Sequence, residues 1–174
     1  MHQLLLLRHA RAAQAQGDQA DRDRPLNADG RRDAAALRRA MRALGLAPDL
    51  VLVSAARRTL ETMNALEPWD DTPLVEPMEE LYLATETRLW DVLRGVAETV
   101  RAVLLIGHDP GLHELAVSLT DARASSPDLA GRAREGFPTA GLAEFTIPGP
   151  WFRLGAGQGR LDRFLTPAAH GGTV

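Results

Sequence analysis

The sequence predicts an α/β fold, a three-layer sandwich in which a mostly parallel central sheet carries helices on both faces. Three short apolar runs, Gln3–Leu7, Leu50–Val53 and Ala102–Ile106, have the length and uniform hydrophobicity of buried strands. Longer segments with helical spacing separate these runs, and such alternation is typical of parallel sheets. Because 174 residues suffice for one hydrophobic core, we expect a single domain over residues 1–174.

A loop and a helix follow the first predicted strand. Residues 11–28 are polar and irregular, with several aspartates and a proline, which predicts the loop. The apolar residues of the next segment recur at helical spacing, so we expect a helix over Arg31–Leu44. Asp29 is its expected N-cap, and Gly45 marks its expected end.

The middle of the chain continues the alternation of strands and helices. Ser54 follows the second predicted strand and is the expected N-cap of a helix over Ala56–Leu66. A short strand is predicted near Leu74–Glu76, within a turn-rich stretch. A further helix is predicted over Glu86–Val96, whose apolar residues share one face.

The last third of the chain holds the remaining elements. Asp109 is the expected N-cap of a helix that has Pro110 at its first position and ends near Leu119. Residues 121–136 are polar, and no secondary structure is assigned to them. The expected closing elements are a hairpin with strands Gly141–Ile147 and Trp151–Leu154, and a frayed tail over residues 166–174.

The composition excludes several classes of function. The chain has no cysteine, so disulfides, zinc-thiolate sites and thiol nucleophiles are ruled out. Its formal net charge of −3 argues against a general nucleic-acid binder. No apolar run approaches the roughly 18 residues of a membrane span, so we expect no membrane partner. Leu4–Leu7 is too short for a signal-peptide core, which predicts a cytoplasmic protein.

All 20 basic residues are arginines, and they are distributed unevenly. Residues 1–42 hold nine arginines and five acids, whereas residues 49–98 hold four arginines and eleven acids. Biased codon usage is the simplest explanation of the missing lysine. The alternative is that some arginines hold an oxyanion in a fork that lysine cannot supply. Arg57 and Arg58 stand out as an adjacent pair within the acidic segment.

Cationic and imidazole side chains follow three of the predicted strands. Arg8 and His9 end the first strand, Arg57 and Arg58 lie in the helical turn after the second, and His108 follows the fourth. Ligands of open α/β sheets bind at the carboxyl ends of the strands. These side chains repel one another unless an anion lies between them, and arginine forks match phosphate oxygens. We therefore predict a phosphate site with two imidazoles.

Simpler interpretations of the same residues stay open. A histidine after a strand is more often a hydrogen-bonded structural residue. Arg57 suits a solvated helix surface, with Glu61 as a possible ion-pair partner. A metal site is disfavoured, because His108 and His113 do not share a helical face and arginines beside a cation are unfavourable. We therefore expect no metal and no cofactor.

Three blocks of the sequence resemble signatures of the histidine phosphatase superfamily, whose fold is phosphoglycerate-mutase-like. Residues 8–10 (Arg-His-Ala) resemble its Arg-His-Gly/Ala signature. Residues 54–62 are similar to its Ser-Pro-Ala-x-Arg-x-x-x-Thr block, and the spacing assigns the phosphate-binding arginine to Arg58. Residues 106–111 are similar to the block that carries the second active-site histidine, here His108.

Further blocks are similar to the SixA-type branch, the phosphohistidine phosphatases. They are residues 23–30 (Asp-Arg-Pro-Leu-Asn-x-x-Gly), 80–82 (Glu-Leu-Tyr) and 137–140 (Phe-Pro-Thr-Ala). All the blocks together span nearly the whole chain in the family's order. The sequence departs from the pattern at Ala55, which replaces a proline, and at Asp109, which replaces an asparagine.

The resemblance implies roles for four residues. His9 is the expected nucleophile, which forms a phosphohistidine that water then hydrolyses. Arg8, Arg58 and His108 are expected to contact the equatorial oxygens of the transferred phosphoryl group. His9 must be neutral to attack, with its second ring nitrogen held by a hydrogen bond, whereas His108 would help most as a cation.

The substrate expected from the resemblance is phosphohistidine in a protein, such as a phosphorelay domain. Many superfamily members carry a glutamate as general acid in the middle segment, but the corresponding residues 81–84 include no acid. A sugar alkoxide needs a proton to leave, whereas an imidazole leaves more easily. Two alternatives stay open. One is a small-molecule phosphomonoesterase with an acid from Asp18, Asp21 or Asp23, and the other is a non-catalytic phosphate or phosphoprotein binder.

Overall fold

A six-stranded sheet forms the centre of the computed structural model, which describes residues 1–167. The order of the strands in the sheet is β3-β2-β4-β1-β5-β6. The strands are β1 (His2–Arg8), β2 (Leu50–Ser54), β3 (Leu74–Met78), β4 (Ala102–Gly107), β5 (Leu142–Ile147) and β6 (Arg160–Leu165). The helices are α1 (Ala28–Ala43), α2 (Arg57–Leu66), α3 (Glu86–Arg94), α4 (Gly111–Leu119) and α5 (Pro127–Glu135).

Strands β1 to β4 run parallel, whereas β5 joins β1 and β6 joins β5 in antiparallel pairs, which confirms the mostly parallel sheet. Arg8 of β1 lies beside Gly107 of β4, and Val53 of β2 lies beside Ile106. The carboxyl ends of these three strands are therefore level. As a result, the residues that follow β1, β2 and β4 meet at one edge of the sheet.

Alternate side chains of the central strands enter two hydrophobic layers. Leu4 and Leu6 of β1 pack on the face covered by α3 and α4, whereas Leu5 and Leu7 pack on the face covered by α1 and α2. All four leucines are fully buried, and burying a leucine side chain contributes about 1.5–3 kcal/mol. Helices thus cover both faces of the sheet, and the predicted three-layer sandwich is confirmed.

The predicted start of α1 is wrong by several residues. Asn27, not Asp29, is its N-cap, and the Asn27 side-chain oxygen accepts a hydrogen bond from the backbone N–H of Gly30 at 2.7 Å. The first turn of α1 packs closely on the preceding loop. A Cβ at Gly30 would lie 2.1 Å from the carbonyl oxygen of Arg11, so only glycine fits there.

The predictions that Ser54 and Asp109 are helix N-caps are also wrong. Ser54 is the last residue of β2, and the N-cap position of α2 falls on Ala56, which has no capping side chain. Pro110 holds the N-cap position of α4, again without a side-chain cap. Both polar side chains bind elsewhere at the sheet edge, the Ser54 hydroxyl to a histidine and the Asp109 carboxylate to an arginine.

The structure of the C-terminal third differs most from the prediction. The polar stretch 121–136 contains α5, whose N-cap Ser126 accepts a hydrogen bond from the N–H of Leu129 at 3.2 Å. The predicted strand at Trp151–Leu154 is wrong, because Trp151–Arg153 is a 3-10 turn and β6 is the strand that pairs with β5. Trp151 is buried there, and its indole N–H donates to the backbone oxygen of Val100 at 2.9 Å.

Residues 11–27 are largely irregular, as predicted, apart from a 3-10 turn at Asp21–Asp23. Of the tail predicted to be frayed, residues 166 and 167 are described and residues 168–174 lie outside the described residues. Within residues 1–167, no helix has both the length and the apolar character that a membrane crossing requires.

Candidate active site

The three predicted strand ends meet around the guanidinium of Arg58. The rings of His9, after β1, and His108, after β4, have centroids 5.2 Å apart. Arg58, in the first turn of α2, donates from Nε to His9 Nε2 and from Nη2 to His108 Nδ1, at 3.4 Å each. Arg58 and His108 are each only 4% exposed. Two imidazoles and a guanidinium therefore share one buried corner, although the sequence separates them by about 50 residues.

His9 is held as one neutral tautomer. Its Nδ1 donates to the backbone oxygen of Ala10 at 2.8 Å, so the proton lies on Nδ1, and Nε2 carries the unprotonated lone pair that accepts from Arg58. Burial is the main cause that lowers the pKa of His9 to about 4, and the charges of Arg58 and Arg8 lower it as well. The backbone hydrogen bond opposes this shift only in part. At neutral pH, His9 therefore presents an unprotonated nitrogen.

His108 is neutral too, which differs from the cationic form expected to help most. Its Nδ1 accepts from Arg58, so the proton lies on Nε2, which donates to the hydroxyl of Ser54 at 2.7 Å. Burial lowers the pKa of His108 to about 3, with further contributions from His9 and Arg58. A phosphate dianion beside both rings would raise both pKa values. Bound phosphate would therefore favour the cationic form of His108.

Asp21 is a further partner of Arg58. Arg58 donates to the Asp21 backbone oxygen at 2.8 Å and to Oδ2 of its carboxylate at 3.0 Å. The Tyr82 hydroxyl donates to the same Oδ2 at 2.6 Å, and Arg24 donates to Oδ1 at 2.8 Å. The hydrogen bond from Tyr82 is the main cause that holds the Asp21 pKa below its usual range. Asp21 is therefore ionised and is not a proton donor at neutral pH.

Arg8 lies at the end of β1 with part of its guanidinium unused. Its Nη1 donates to the backbone oxygen of Phe137 at 2.8 Å and lies 3.1 Å from Asp109 Oδ2. Within residues 1–167, the buried Nε of Arg8 and the buried Oδ1 of Asp109 have no hydrogen-bond partner. Burial raises the pKa of the Asp109 carboxyl, and the Arg8 charge opposes that shift. A phosphate oxygen is a fitting partner for Arg8 Nε, because an unsatisfied buried donor costs free energy.

A cavity of about 390 Å³ opens over these side chains. Most of its lining is polar, and it includes Arg11, Arg24 and Asn27 beside the four predicted site residues. Arg57 points elsewhere. It is exposed and donates to Glu61 one helical turn on at 2.7 Å, as the surface interpretation predicts. Arginines and neutral histidines thus surround the cavity, which suits an anion.

Sequence reasoning missed the contribution of Asp21 and Tyr82. Asp21 is separated along the sequence from Arg58 by 37 positions and from Tyr82 by 61 positions, so no local sequence pattern predicts these contacts. Tyr82 does fall in the block 80–82 that resembles the SixA-type branch. The fold brings Arg8, His9, Arg58 and His108 together, while their catalytic roles remain predictions. Within residues 1–167, no group of three or more His, Asp or Glu side chains is arranged to hold a metal ion.

Comparison with known proteins identifies the family. The model of the histidine phosphatase superfamily (branch 1) matches residues 4–81, which include His9 and Arg58. An uncharacterized protein of Mycobacterium tuberculosis is 33% identical over 161 residues, 92% of this chain and 99% of that protein. A candidate phosphohistidine phosphatase SixA from Nakamurella multipartitia has a similar structure, with a TM-score of 0.83, 28% identity and 97% of each chain covered.

A second solved structure extends the comparison. It is a candidate phosphohistidine phosphatase SixA from Agrobacterium tumefaciens, with a TM-score of 0.79 and 30% identity over 95% of this chain and 98% of that one. The phosphoglycerate-mutase-like fold expected from the sequence is confirmed by these similarities. The chain therefore belongs to the histidine phosphatase superfamily, in its SixA-type branch.

Proposed function

We propose that this protein is a phosphatase that transfers a phosphoryl group to His9 and then to water, and that its substrate is phosphohistidine in a protein. The observation that carries the proposal is the state of His9. Its Nδ1 proton is tied to the Ala10 carbonyl, and its Nε2 lone pair lies beside Arg58 in a polar cavity. A neutral imidazole with a fixed free nitrogen is the form that attacks phosphorus.

In the first step, His9 Nε2 attacks phosphorus in line with the leaving group. The new P–Nε2 bond forms as the bond from phosphorus to the substrate imidazole breaks. That imidazole, protonated on its other nitrogen, leaves with the electron pair as a neutral ring. Arg58, Arg8 and His108 contact the three equatorial oxygens, over which charge spreads in the transition state. In the second step, a water oxygen attacks phosphorus, and the electron pair of the breaking P–Nε2 bond returns to His9. Inorganic phosphate leaves with both protons of the water.

Three observations support phosphohistidine as the substrate. The stretch 81–84, where relatives of other branches carry a glutamate acid, offers the cavity only Leu83. The nearby Asp21 is ionised and bound by three partners, so it does not supply a proton. An imidazole leaves without the strong acid that an alkoxide needs. The similar structures described as candidate SixA phosphohistidine phosphatases point the same way.

A second candidate function is that of a small-molecule phosphomonoesterase, and Asp109 is the observation in its favour. This carboxyl lines the cavity, and burial raises its pKa, which favours its protonated form. A protonated Asp109 would donate to an alkoxide leaving group. Turnover of sugar phosphates at a rate comparable to that of a phosphohistidine protein would favour this candidate.

The test is rapid-quench analysis with a phosphohistidine-containing protein as substrate, in the presence of a chelator. We expect a burst of acid-labile phosphoenzyme, followed by steady release of phosphate. His9→Ala abolishes both signals. The control His113→Ala, which removes a half-buried histidine outside the cavity, retains both. Binding without phosphoenzyme in the wild-type protein would leave only the non-catalytic phosphoprotein binder, and loss of activity with the chelator would contradict metal independence.

A further inference from the structure

Leu83 has a backbone conformation that leucine disfavours. Residues Leu81 to Ala84 form a tight turn, in which the N–H of Ala84 donates to the carbonyl of Leu81 at 3.3 Å. Tyr82 has φ −66° and ψ 116°, and Leu83 has φ 48°. These angles approximate a type II turn, whose third position favours glycine or asparagine. A leucine there is strained relative to glycine, because its Cβ crowds the following carbonyl oxygen.

The residues on both sides of Leu83, Tyr82 and Ala84, are held by contacts with other parts of the fold. These contacts oppose relaxation of the strained backbone. On one side, the Tyr82 hydroxyl is held by the Asp21 carboxylate at 2.6 Å. On the other side, the Ala84 carbonyl packs on the start of α4. A Cβ at Gly111 would lie 2.0 Å from the Ala84 oxygen, so the two backbones touch. The turn therefore fixes the backbone of Leu83 and the direction of its Cα–Cβ bond.

Burial within the protein stabilises the Leu83 side chain only slightly. It is 53% exposed, so its burial repays only part of the backbone cost. It lines the cavity above His9, whose other described lining residues are charged or polar except for Ala12. A glycine in its place would cost less for the fold. An exposed apolar side chain that is strained and rigidly held at a cavity is explained by a ligand that contacts it.

In-line attack determines which part of a substrate reaches Leu83. The leaving group must lie on the side of phosphorus opposite to His9 Nε2. Because Arg58 and His108 are buried, we place the leaving group toward the exposed part of the cavity lining. Leu83 is an exposed apolar residue of that lining. A planar imidazole or aryl ring can pack on its isobutyl group, whereas a polyhydroxylated sugar would lose hydration there without gaining hydrogen bonds.

We propose that Leu83 is a specificity-determining residue that packs against the ring carrying the phosphoryl group. The residue thereby favours phosphoryl donors whose leaving group is an imidazole or an aryl ring. The inference rests on the proposed phosphatase function and adds to it the feature of the substrate that the cavity selects. Leu83 takes no part in the bond-making steps, so its effect is on the discrimination between leaving groups.

The test compares N-phosphoimidazole with phosphoramidate, because both have a P–N bond and only the first has a ring. Leu83→Asn and Leu83→Gly both accept a positive φ, and Leu74→Asn changes an exposed leucine on β3 outside the cavity as control. For both Leu83 variants we expect kcat/KM for N-phosphoimidazole to fall roughly tenfold, mostly through KM. Phosphoramidate turnover stays nearly unchanged, and so do both activities of Leu74→Asn.

Three outcomes would overturn the assignment. Equal losses on the two substrates would mean that Leu83 only shapes the catalytic groups. Unchanged kinetics on both would mean that the ring does not touch it. A lower thermal midpoint for Leu83→Gly than for the wild-type protein would show that the leucine serves the fold, since relief of strain predicts an equal or higher midpoint. Failure of the proposed function appears separately, as absence of phosphoenzyme in the wild-type protein.

Discussion

Arginines at the cavity and arginines on the outer face of α1 are chemically the same, but their surroundings differ. Arg58 is 4% exposed and uses Nε, Nη1 and Nη2 for contacts with His9, Asp21 and His108. Arg32 and Arg39 on α1 are exposed, and within residues 1–167 Arg32 forms its ion pair with Asp29 of the same helix. The planar guanidinium is therefore needed at the cavity and not on the outer face of α1. The absence of lysine elsewhere in the chain needs no explanation in phosphate chemistry.

The sharpest test of this contrast replaces one arginine in each region by lysine. Arg58→Lys keeps the charge but loses the fork that reaches two histidines and Asp21 at once, so we expect kcat/KM to fall by about 10²–10³-fold. Arg39→Lys should change neither activity nor stability measurably. Steady-state kinetics with N-phosphoimidazole and thermal unfolding of both variants provide the measurements. Similar losses in the two variants would mean that the cavity makes no special demand on arginine.

The histidines offer the second way to test the contrast between buried and exposed groups. The pKa values of His9 and His108 lie at about 4 and about 3, against an ordinary value of 6.5. A lowered folded-state pKa means that the stability due to the neutral ring is complete above pH 6.5 and is lost as the pH falls toward 4 and 3. Histidine NMR should therefore show both rings neutral at pH 6. The midpoint temperature of thermal unfolding should decrease as the pH is lowered from 6.5 to 4.

Two additions make the titration specific to the site. His9→Asn removes one of the two groups and should flatten the fall of the midpoint. Inorganic phosphate should raise both pKa values, so that binding takes up protons from the buffer near pH 6. Calorimetry in buffers of different ionisation enthalpy measures this uptake. Rings that titrate near 6.5 without phosphate would contradict the buried, neutral pair.

The parts of the fold that the sequence predicts are those decided by local pattern. The apolar runs of β1, β2 and β4 are buried on both faces, so their composition alone marks them, and their ends define the candidate site. Strand β6 was missed because its edge position leaves Arg160 and Arg163 exposed, and such a strand has no continuous apolar run. Trp151 was misassigned because a buried side chain in a turn has the same hydrophobicity as one in a strand.

The contacts that orient the site are the ones that local pattern does not predict. Ser54 and Asp109 have the residue types and positions of helix caps, and long-range partners, His108 and Arg8, bind them instead. Asp18 and Asp23 lie in the same loop as Asp21 and carry the same side chain. The distinction of Asp21 comes from the fold, which brings it to Arg58.

Asp21 and Asp23 lie in the same 3-10 turn and therefore form a matched pair. Asp21→Asn removes the charge that holds Arg58 and the acceptor that Tyr82 and Arg24 share, so we expect a roughly tenfold lower kcat, about 1.4 kcal/mol. Asp23→Asn should have little effect, because no side-chain hydrogen bond of Asp23 is found within residues 1–167. If Asp21 positions Arg58, the loss falls on kcat and on phosphate affinity together. Equal behaviour of the two variants would contradict that role.

Asp109 pairs with an arginine in the cavity, and Asp29 pairs with an arginine on α1. Replacing these two aspartates gives the smallest change in phosphate binding that we expect. The Asp109 carboxylate competes with phosphate for Arg8, and Asp109→Asn removes that competition, so the inhibition constant of phosphate should fall roughly fivefold, about 1 kcal/mol. Burial raises the Asp109 pKa, so the carboxylate is protonated progressively as the pH falls. The advantage of Asp109→Asn should therefore be largest at neutral pH and vanish at low pH, whereas Asp29→Asn should show none at any pH. Weaker phosphate binding by Asp109→Asn would mean that the ion pair orients Arg8 instead of competing with the ligand.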